Sequence, residues 1–171
     1  MIRYAKQKNS SDCGPIAILN ALKWAGVRCT YQSDLKKITE KSRCDSVGTS
    51  YGYFEKALRH FAHGNFTVTR KAWPGIAVFQ KFLRNPDHAA ISFFVDTDER
   101  KKRKKKSPHA MLIVGTRKTG GRFLCVNFPE YSRGKTAEWV SRGKIIAGHR
   151  PIRHLGYSYP SLWFLEKEIR K

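Results

Sequence analysis

One stretch of the sequence, residues 13–25 (CGPIAILNALKWA), is apolar nearly all round a helix and constrains the fold more than any other feature. After the Gly-Pro pair, only Asn20 and Lys23 are strongly polar. A helix without a polar face has to be enclosed by other parts of the chain, so the segment predicts a buried central helix. Pro15 suits a first helical turn, where its missing N–H costs nothing, and Gly26 is a typical stop.

Other elements follow from shorter patterns. Apolar residues at helical spacing predict helices over residues 33–41, 54–62 and 76–83, the first capped by Ser33 and the second by Thr49 or Ser50. Short β-branched or aromatic runs predict strands over residues 66–70, 89–95, 109–114, 122–127 and 161–165, and residues 137–140 are predicted to form a helical turn. Because helices precede strands instead of alternating with them, we predict an α+β fold with the N-terminal helices packed on a mostly antiparallel sheet.

The length and composition point to one globular domain covering residues 1–171. Hydrophobic residues make up 40% of the 171 residues, which is enough for a real core and excludes wholesale disorder. No apolar run approaches the roughly 20 residues that a membrane-spanning helix needs. The N-terminus has no apolar signal-peptide segment. We therefore expect an intracellular protein that is not secreted, with the cytoplasm as the default and the nucleus or a virion as alternatives.

Positive charge is spread along the whole chain. The formal net charge is +21, and removing the seven consecutive basic residues of the predicted loop 97–108 would still leave +14. Such a chain attracts polyanions, so nucleic acid, an anionic membrane surface and an acidic protein are all natural partners. A solvated surface loop without a specific partner explains the basic run equally well. The sequence leaves the oligomeric state open.

The four cysteines lie far apart in the sequence, so we expect no disulfide framework. One alternative is a zinc site made by Cys29, Cys44, His60 and His63, since two histidines three residues apart share a helix face. Structural zinc sites usually show tighter cysteine spacing, so we expect no metal and no organic cofactor.

A set of four residues carries the strongest chemical signal. Cys13 begins the buried helix, where the positive end of the helix dipole favours a thiolate, so it is the candidate nucleophile. His109 opens a predicted strand and is the candidate base and acid, with Asn127, which closes the next strand, holding the imidazole in the required tautomer. Gln7 stands six positions before Cys13 and can donate to an oxyanion together with the Cys13 N–H. Asp96 is a weaker candidate for orienting His109.

In this order the residues resemble the papain-like cysteine peptidases, most closely the bacteriocin-processing (double-glycine leader) type and its stand-alone relatives. The resemblance rests on Gln7 with the segment 12–15 (DCGP), on the segment 48–50 (GTS), on His109 before an apolar strand and on the segment 126–129 (VNFP). It covers about residues 5 to 130 and implies a papain-like fold, with Cys13 as nucleophile, His109 as base, Asn127 as orienting residue and Gln7 as oxyanion donor. The family commonly has Asp where this chain has Asn127.

We also assign residues to substrate binding. These are the neighbours of Cys13 and the basic run, which the sequence places between the strand before His109 and His109 itself: Asp12, Gly14, Arg100, Lys101, Lys102, Arg103, Lys104, Lys105 and Lys106.

Three functions fit these features. The first is a cysteine peptidase that cleaves a peptide or isopeptide bond through a thioester, with an acidic or nucleic-acid-associated protein as its substrate. The second is an acyl transferase or de-conjugating enzyme that uses the same residues. The third is a basic protein that binds nucleic acid without sequence preference, or builds a virion, on a papain-like scaffold whose site has decayed.

Overall fold

A computed structural model describes residues 2–9, 11–46, 48–94, 108–117, 119, 121–128, 136–149 and 162–168. The basic run at 100–106 and the candidate Asp96 lie outside the described residues. Of the C-terminal segment 131–171, residues 136–149 and 162–168 are described.

Five helices and six strands make up the described part of the chain. The helices are α1 (Cys13–Trp24), α2 (Tyr31–Lys41), α3 (Tyr51–Ala62), α4 (Ile76–Phe82) and α5 (Arg142–Gly148). The strands are β1 (Phe66–Lys71), β2 (His88–Phe94), β3 (His109–Thr116), β4 (Arg122–Val126), β5 (Ala137–Ser141) and β6 (Leu162–Lys167). The strands form one sheet in the order β1-β6-β2-β3-β4-β5, and all neighbours run antiparallel. The predicted α+β class is confirmed.

The central helix is buried as its composition predicts. Every residue of α1 from Gly14 to Leu22 is buried, including the polar Asn20. The Asn20 side chain accepts a hydrogen bond from the Ala5 N–H (2.6 Å) and donates to the Ala5 carbonyl (3.0 Å). Both bonds satisfy a polar group that would otherwise be costly to bury. They also fix the N-terminal segment against α1, which places the neighbouring Gln7.

Helices cover both faces of the sheet. One apolar cluster joins α1, α2 and α3 to one face, with Trp163 and Phe93 of the sheet packed edge-on against Phe54 of α3. A second cluster joins α4 and α5 to the opposite face, through Phe79 and Ile145. Because both faces of the sheet are apolar, covering each with helices removes apolar surface from water and stabilises the fold. The helix α1 packs on β2 and β3.

Two local predictions are wrong. Residues 137–140 form strand β5 instead of a helical turn, because Trp139 and Val140 pair with Leu124 and Phe123 of β4. The helix comes immediately afterwards as α5, capped by Ser141, whose hydroxyl accepts from the Lys144 N–H. Pairing with a neighbouring strand overrides the weak local preference of so short a segment.

The start of α2 also differs from the sequence prediction. The helix begins at Tyr31, two residues before the predicted start, and Thr30 is its N-cap instead of Ser33. The Asp34 carboxylate reaches back to the Thr30 N–H at 2.7 Å, which satisfies a donor at the helix entrance. In the described part of the chain, none of the helices has both the length and the apolar character that crossing a bilayer requires.

Candidate active site

Three of the four candidate residues meet at one end of the sheet. His109 is the first residue of β3, and Asn127 directly follows β4. Because β3 and β4 are antiparallel neighbours, with Leu112 opposite Val126, the start of one strand lies beside the end of the other. Gln7 reaches the same place from the N-terminal segment, where its backbone N–H lies 3.4 Å from the Asn127 Oδ1.

The backbone of Asn127 has a left-handed conformation, with φ at 60°. Asparagine tolerates this region better than most residues because its short polar side chain can form local hydrogen bonds. The Asn127 N–H donates to the Thr136 carbonyl at 2.8 Å. The chain thus turns sharply after β4, and the carbonyl of Asn127 is left to face a neighbouring strand.

That carbonyl accepts a hydrogen bond from the imidazole of His109. The Nε2 of His109 lies 2.6 Å from the main-chain oxygen of Asn127. A carbonyl oxygen only accepts, so Nε2 carries a proton, and Nδ1 is the basic nitrogen of the neutral ring. The side-chain Nδ2 of Asn127 lies farther away, at 3.5 Å, and would bring a second donor to the same atom. The main chain of Asn127 therefore selects the tautomer.

The side chain of Asn127 is bound to Gln7 instead. Its Nδ2 donates to the Gln7 Oε1 at 2.9 Å, and its Oδ1 accepts from the Gln7 N–H. Turning the Asn127 amide round would place Nδ2 against the Gln7 N–H and Oδ1 against Oε1, so this orientation alone satisfies both contacts. Both residues are buried, with exposed fractions of 6% for Gln7 and 1% for Asn127.

The nitrogen of the Gln7 amide is directed towards the entrance of α1. Its Nε2 donates to the Asn9 carbonyl, and the same oxygen accepts from the Asp12 N–H at 3.4 Å. The Asn9 side chain in turn donates to the Asp12 carboxylate at 2.9 Å. Sequence reasoning did not single out Asn9; its only signal is the Asn-x-x-Asp spacing, which is typical of turns that precede a helix. The Asn9 carbonyl thus accepts from both the Gln7 amide and the N–H of Asp12, the residue before Cys13.

Cys13 is the first residue of α1, and it is partly buried. Burial raises the pKa of Cys13 above its usual value, and the negative charge of Asp12 adds to this effect. The backbone N–H groups of Ala110, Gly14 and Cys13 itself lower the pKa, but by less. The Ala110 N–H, next to His109 in β3, is thus among the groups that lower the pKa of the Cys13 thiol. The backbone amides at the helix entrance therefore do not offset the effect of burial on the pKa of Cys13.

The predicted substrate-binding residues lie in different surroundings. Asp12 lines an open groove of about 1130 Å³ between the N-terminal segment and α2, together with Lys8, Asn9, Tyr31 and Lys36. Gly14 is buried instead, and a Cβ atom at this position would lie 2.6 Å from the Cγ2 of Thr49. Its missing side chain lets the segment before α3 approach the entrance of α1. The seven basic residues at 100–106 lie outside the described residues.

Cys44 and Cys125 are not members of the hydrogen-bonded chain that joins Gln7, Asn127 and His109. Cys44 donates to the Ser11 carbonyl at 3.4 Å, and burial together with nearby negative charge raises its pKa to about 11. Cys125 is completely buried inside β4, which raises the pKa of its thiol strongly. The alternative zinc site is not formed: within the described ranges, no group of three or more His, Cys, Asp or Glu residues is placed to hold a metal ion.

Two solved structures share this fold. The peptidase domain of Streptococcus ComA, a bifunctional ABC transporter involved in a quorum-sensing pathway, gives a TM-score of 0.64 at 12% identity, covering 98% of this chain and 100% of that one. A protein of Bacillus anthracis described as a C39-like peptidase gives a TM-score of 0.62 at 10% identity, covering 99% of this chain and 96% of that one. No protein-family model matches the sequence, and no curated protein matches it. The resemblance to the bacteriocin-processing peptidases is confirmed for the fold: this chain has the fold of the C39 peptidase domains.

Proposed function

We propose that this chain is a cysteine peptidase that cleaves a peptide or isopeptide bond through a thioester on Cys13. One observation carries the proposal: Gln7, Asn127 and His109 form a single hydrogen-bonded chain, and α1, which begins with Cys13, packs on β3, which begins with His109. A nucleophile, a base with a fixed tautomer and an amide donor are the three groups that acyl transfer requires. The C39 peptidase fold supports the same assignment.

In the first half of the reaction, His109 Nδ1 takes the thiol proton as the Cys13 Sγ attacks the substrate carbonyl carbon. The raised pKa of Cys13 makes this transfer necessary, because the thiol is otherwise protonated at neutral pH. The carbonyl oxygen becomes an oxyanion, which the Cys13 N–H and the second N–H of the Gln7 amide stabilise. When the intermediate collapses, the imidazolium gives its proton to the leaving amine, and a thioester remains.

In the second half, the neutral His109 takes a proton from water as the water oxygen attacks the thioester carbon. The same two donors stabilise the second oxyanion. Collapse of this intermediate returns the proton to the Cys13 sulfur and releases a carboxylic acid. Throughout both halves, the main-chain carbonyl of Asn127 accepts from Nε2 and stabilises the imidazolium when it forms.

The proposal is tested with p-nitrophenyl acetate, a small activated ester that requires no knowledge of the natural substrate. The wild-type chain is expected to release p-nitrophenolate in a burst and to gain one acetyl group on Cys13, found by peptide mass mapping. Cys13→Ser and His109→Ala should both abolish the burst, while Cys29→Ser should keep it. Acetylation that is equal on all four cysteines, or unchanged in His109→Ala, contradicts the proposal.

The same acyl-enzyme would serve hydrolysis or transfer, and the product separates these two reactions. Adding glycinamide to the acetylated chain gives acetic acid if water is the acceptor, as the peptidase proposal requires. Accumulation of the acetylated amine instead would favour the acyl transferase.

A further inference from the structure

The main chain and the side chain of Asn127 contact different residues. The inference drawn from this difference rests on the proposed function. The main-chain oxygen of Asn127 holds the imidazole of His109, whereas the side-chain amide holds the Gln7 carboxamide at two points. We infer that the Asn127 side chain is a positioning residue for the oxyanion donor Gln7, and that it is not required to hold the imidazole of His109, whose Nε2 donates to the main-chain oxygen of Asn127.

The hydrogen-bond directions support this assignment. The Gln7 amide can rotate by half a turn, which would exchange its oxygen and its nitrogen. The Asn127 Nδ2 requires an oxygen on its side, and the Asn9 carbonyl requires a nitrogen on the other. These two partners therefore keep the Gln7 N–H groups turned towards the entrance of α1, where the oxyanion would form.

The main chain of Asn127 does not need this particular side chain. Its left-handed φ of 60° is a conformation that glycine adopts without strain, so Asn127→Gly keeps the carbonyl in place and removes only the amide. The proton on His109 Nε2 keeps its acceptor in that variant. The basicity of Nδ1, and with it the ionisation of Cys13, should stay as in the wild type.

Two chemical probes separate the two roles. Alkylation of Cys13 by iodoacetamide is a direct displacement that forms no oxyanion, so its rate reports the thiol and its base. Acetylation by p-nitrophenyl acetate passes through a tetrahedral oxyanion, so its rate reports the Gln7 donor as well. Each rate is measured at Cys13 by mass mapping, between pH 6 and pH 10, for the wild type and the variants.

Asn127→Gly is expected to slow acetylation at least about tenfold, towards the loss of about 10² to 10³ that follows removal of an oxyanion donor. Its alkylation rate and the pH dependence of that rate should match the wild type. Gln7→Ala should show the same pattern, and the double variant should be no slower than Gln7→Ala alone, because one function is lost in both. His109→Ala should slow both reactions.

A second variant covers the case in which Asn127→Gly fails to fold. Asn127→Ala also removes the amide that holds Gln7, and it brings no charge near the His109 Nε2, which lies 3.5 Å from the Asn127 Nδ2. Acetylation should fall while alkylation does not. If either variant slows alkylation as His109→Ala does, or if the losses in the double variant multiply, the inference is overturned. If the wild type itself is not acetylated at Cys13, the proposed function fails first and takes this inference with it.

Discussion

Adding one methyl group at Gly14 should destabilise the fold, because the space it would occupy is already filled. A Cβ at this position would lie 2.6 Å from the Thr49 Cγ2 and 3.4 Å from the Phe54 Cδ2. The first distance is well below van der Waals contact. Thr49 cannot simply rotate away, since its hydroxyl donates to the carbonyl of Ser42, which is itself buried. The helix entrance or the segment before α3 therefore has to move.

The expected size of this effect follows from two opposing terms. Overpacking a filled site by a methyl group typically costs about 1–3 kcal/mol. Alanine favours a helix over glycine by up to about 1 kcal/mol, which offsets part of this cost. We expect Gly14→Ala to lower the free energy of unfolding by about 1–2 kcal/mol. In a chain of this length each kcal/mol corresponds to roughly 2–4 °C in Tm.

A matched control isolates the contact with Thr49. Thr49→Ser keeps the hydroxyl that donates to Ser42 and removes the Cγ2 that would clash. Urea unfolding, followed by circular dichroism, is measured for both single variants and the double variant. Gly14→Ala should cost little or nothing in the Thr49→Ser background. An equal loss in both backgrounds, or no loss in either, would refute the steric reasoning.

Three further predictions concern the N-terminal segment, a second thiol and the basic run. Asn20→Ala leaves both polar groups of Ala5 buried without their partner, so urea unfolding should show a loss of about 2–4 kcal/mol, whereas Lys23→Ala, which removes a solvent-exposed hydrogen bond to the Arg3 carbonyl, should change little. The pKa of Cys44 is about 11 in the folded protein against an ordinary 9.0, so this thiol should react with iodoacetamide only slowly at pH 9. Because the folded state holds the proton more tightly, protonated Cys44 contributes stability below pH 9, and this contribution should be lost as pH rises towards 11. Urea unfolding of Cys44→Ala and the wild type across that pH range would detect the loss. Replacing residues 100–106 by Gly and Ser should weaken the salt dependence of turnover on an acidic protein substrate, and an unchanged rate and salt dependence would exclude a recruiting role.

The sequence predicts those elements of the fold whose apolar pattern or bounding turn residues allow one kind of secondary structure. The helix α1 was predicted to within one residue because an apolar segment of that length has no alternative to enclosure. The strands β3 and β4 were predicted with their starts at His109 and Arg122, since turn residues bound them. The strand β5 was missed because residues 137–141 become a strand through pairing with β4, which no local pattern specifies.

The candidate site was only partly accessible in the same way. Side-chain chemistry suggested Gln7, His109 and Asn127, and the structure brings these three together. The sequence could not show that the main-chain oxygen of Asn127 meets the imidazole, because this depends on the left-handed backbone at that residue. Nor could the sequence show that burial raises the pKa of Cys13, because desolvation is a property of the packed helix entrance.

The pairing of Cys13 with His109 is tested most directly by iodoacetamide labelling of the folded protein at graded pH, mapped by mass spectrometry. Burial raises the pKa of Cys13, so the proposed function requires His109 to supply the reactivity of this thiol at neutral pH. We predict that Cys13 is labelled at pH 7 faster than Cys29, Cys44 and Cys125, and that His109→Ala removes this advantage, leaving labelling that rises only at alkaline pH. A Cys13 that is inert in the wild type, or labelled equally with and without His109, would contradict the account.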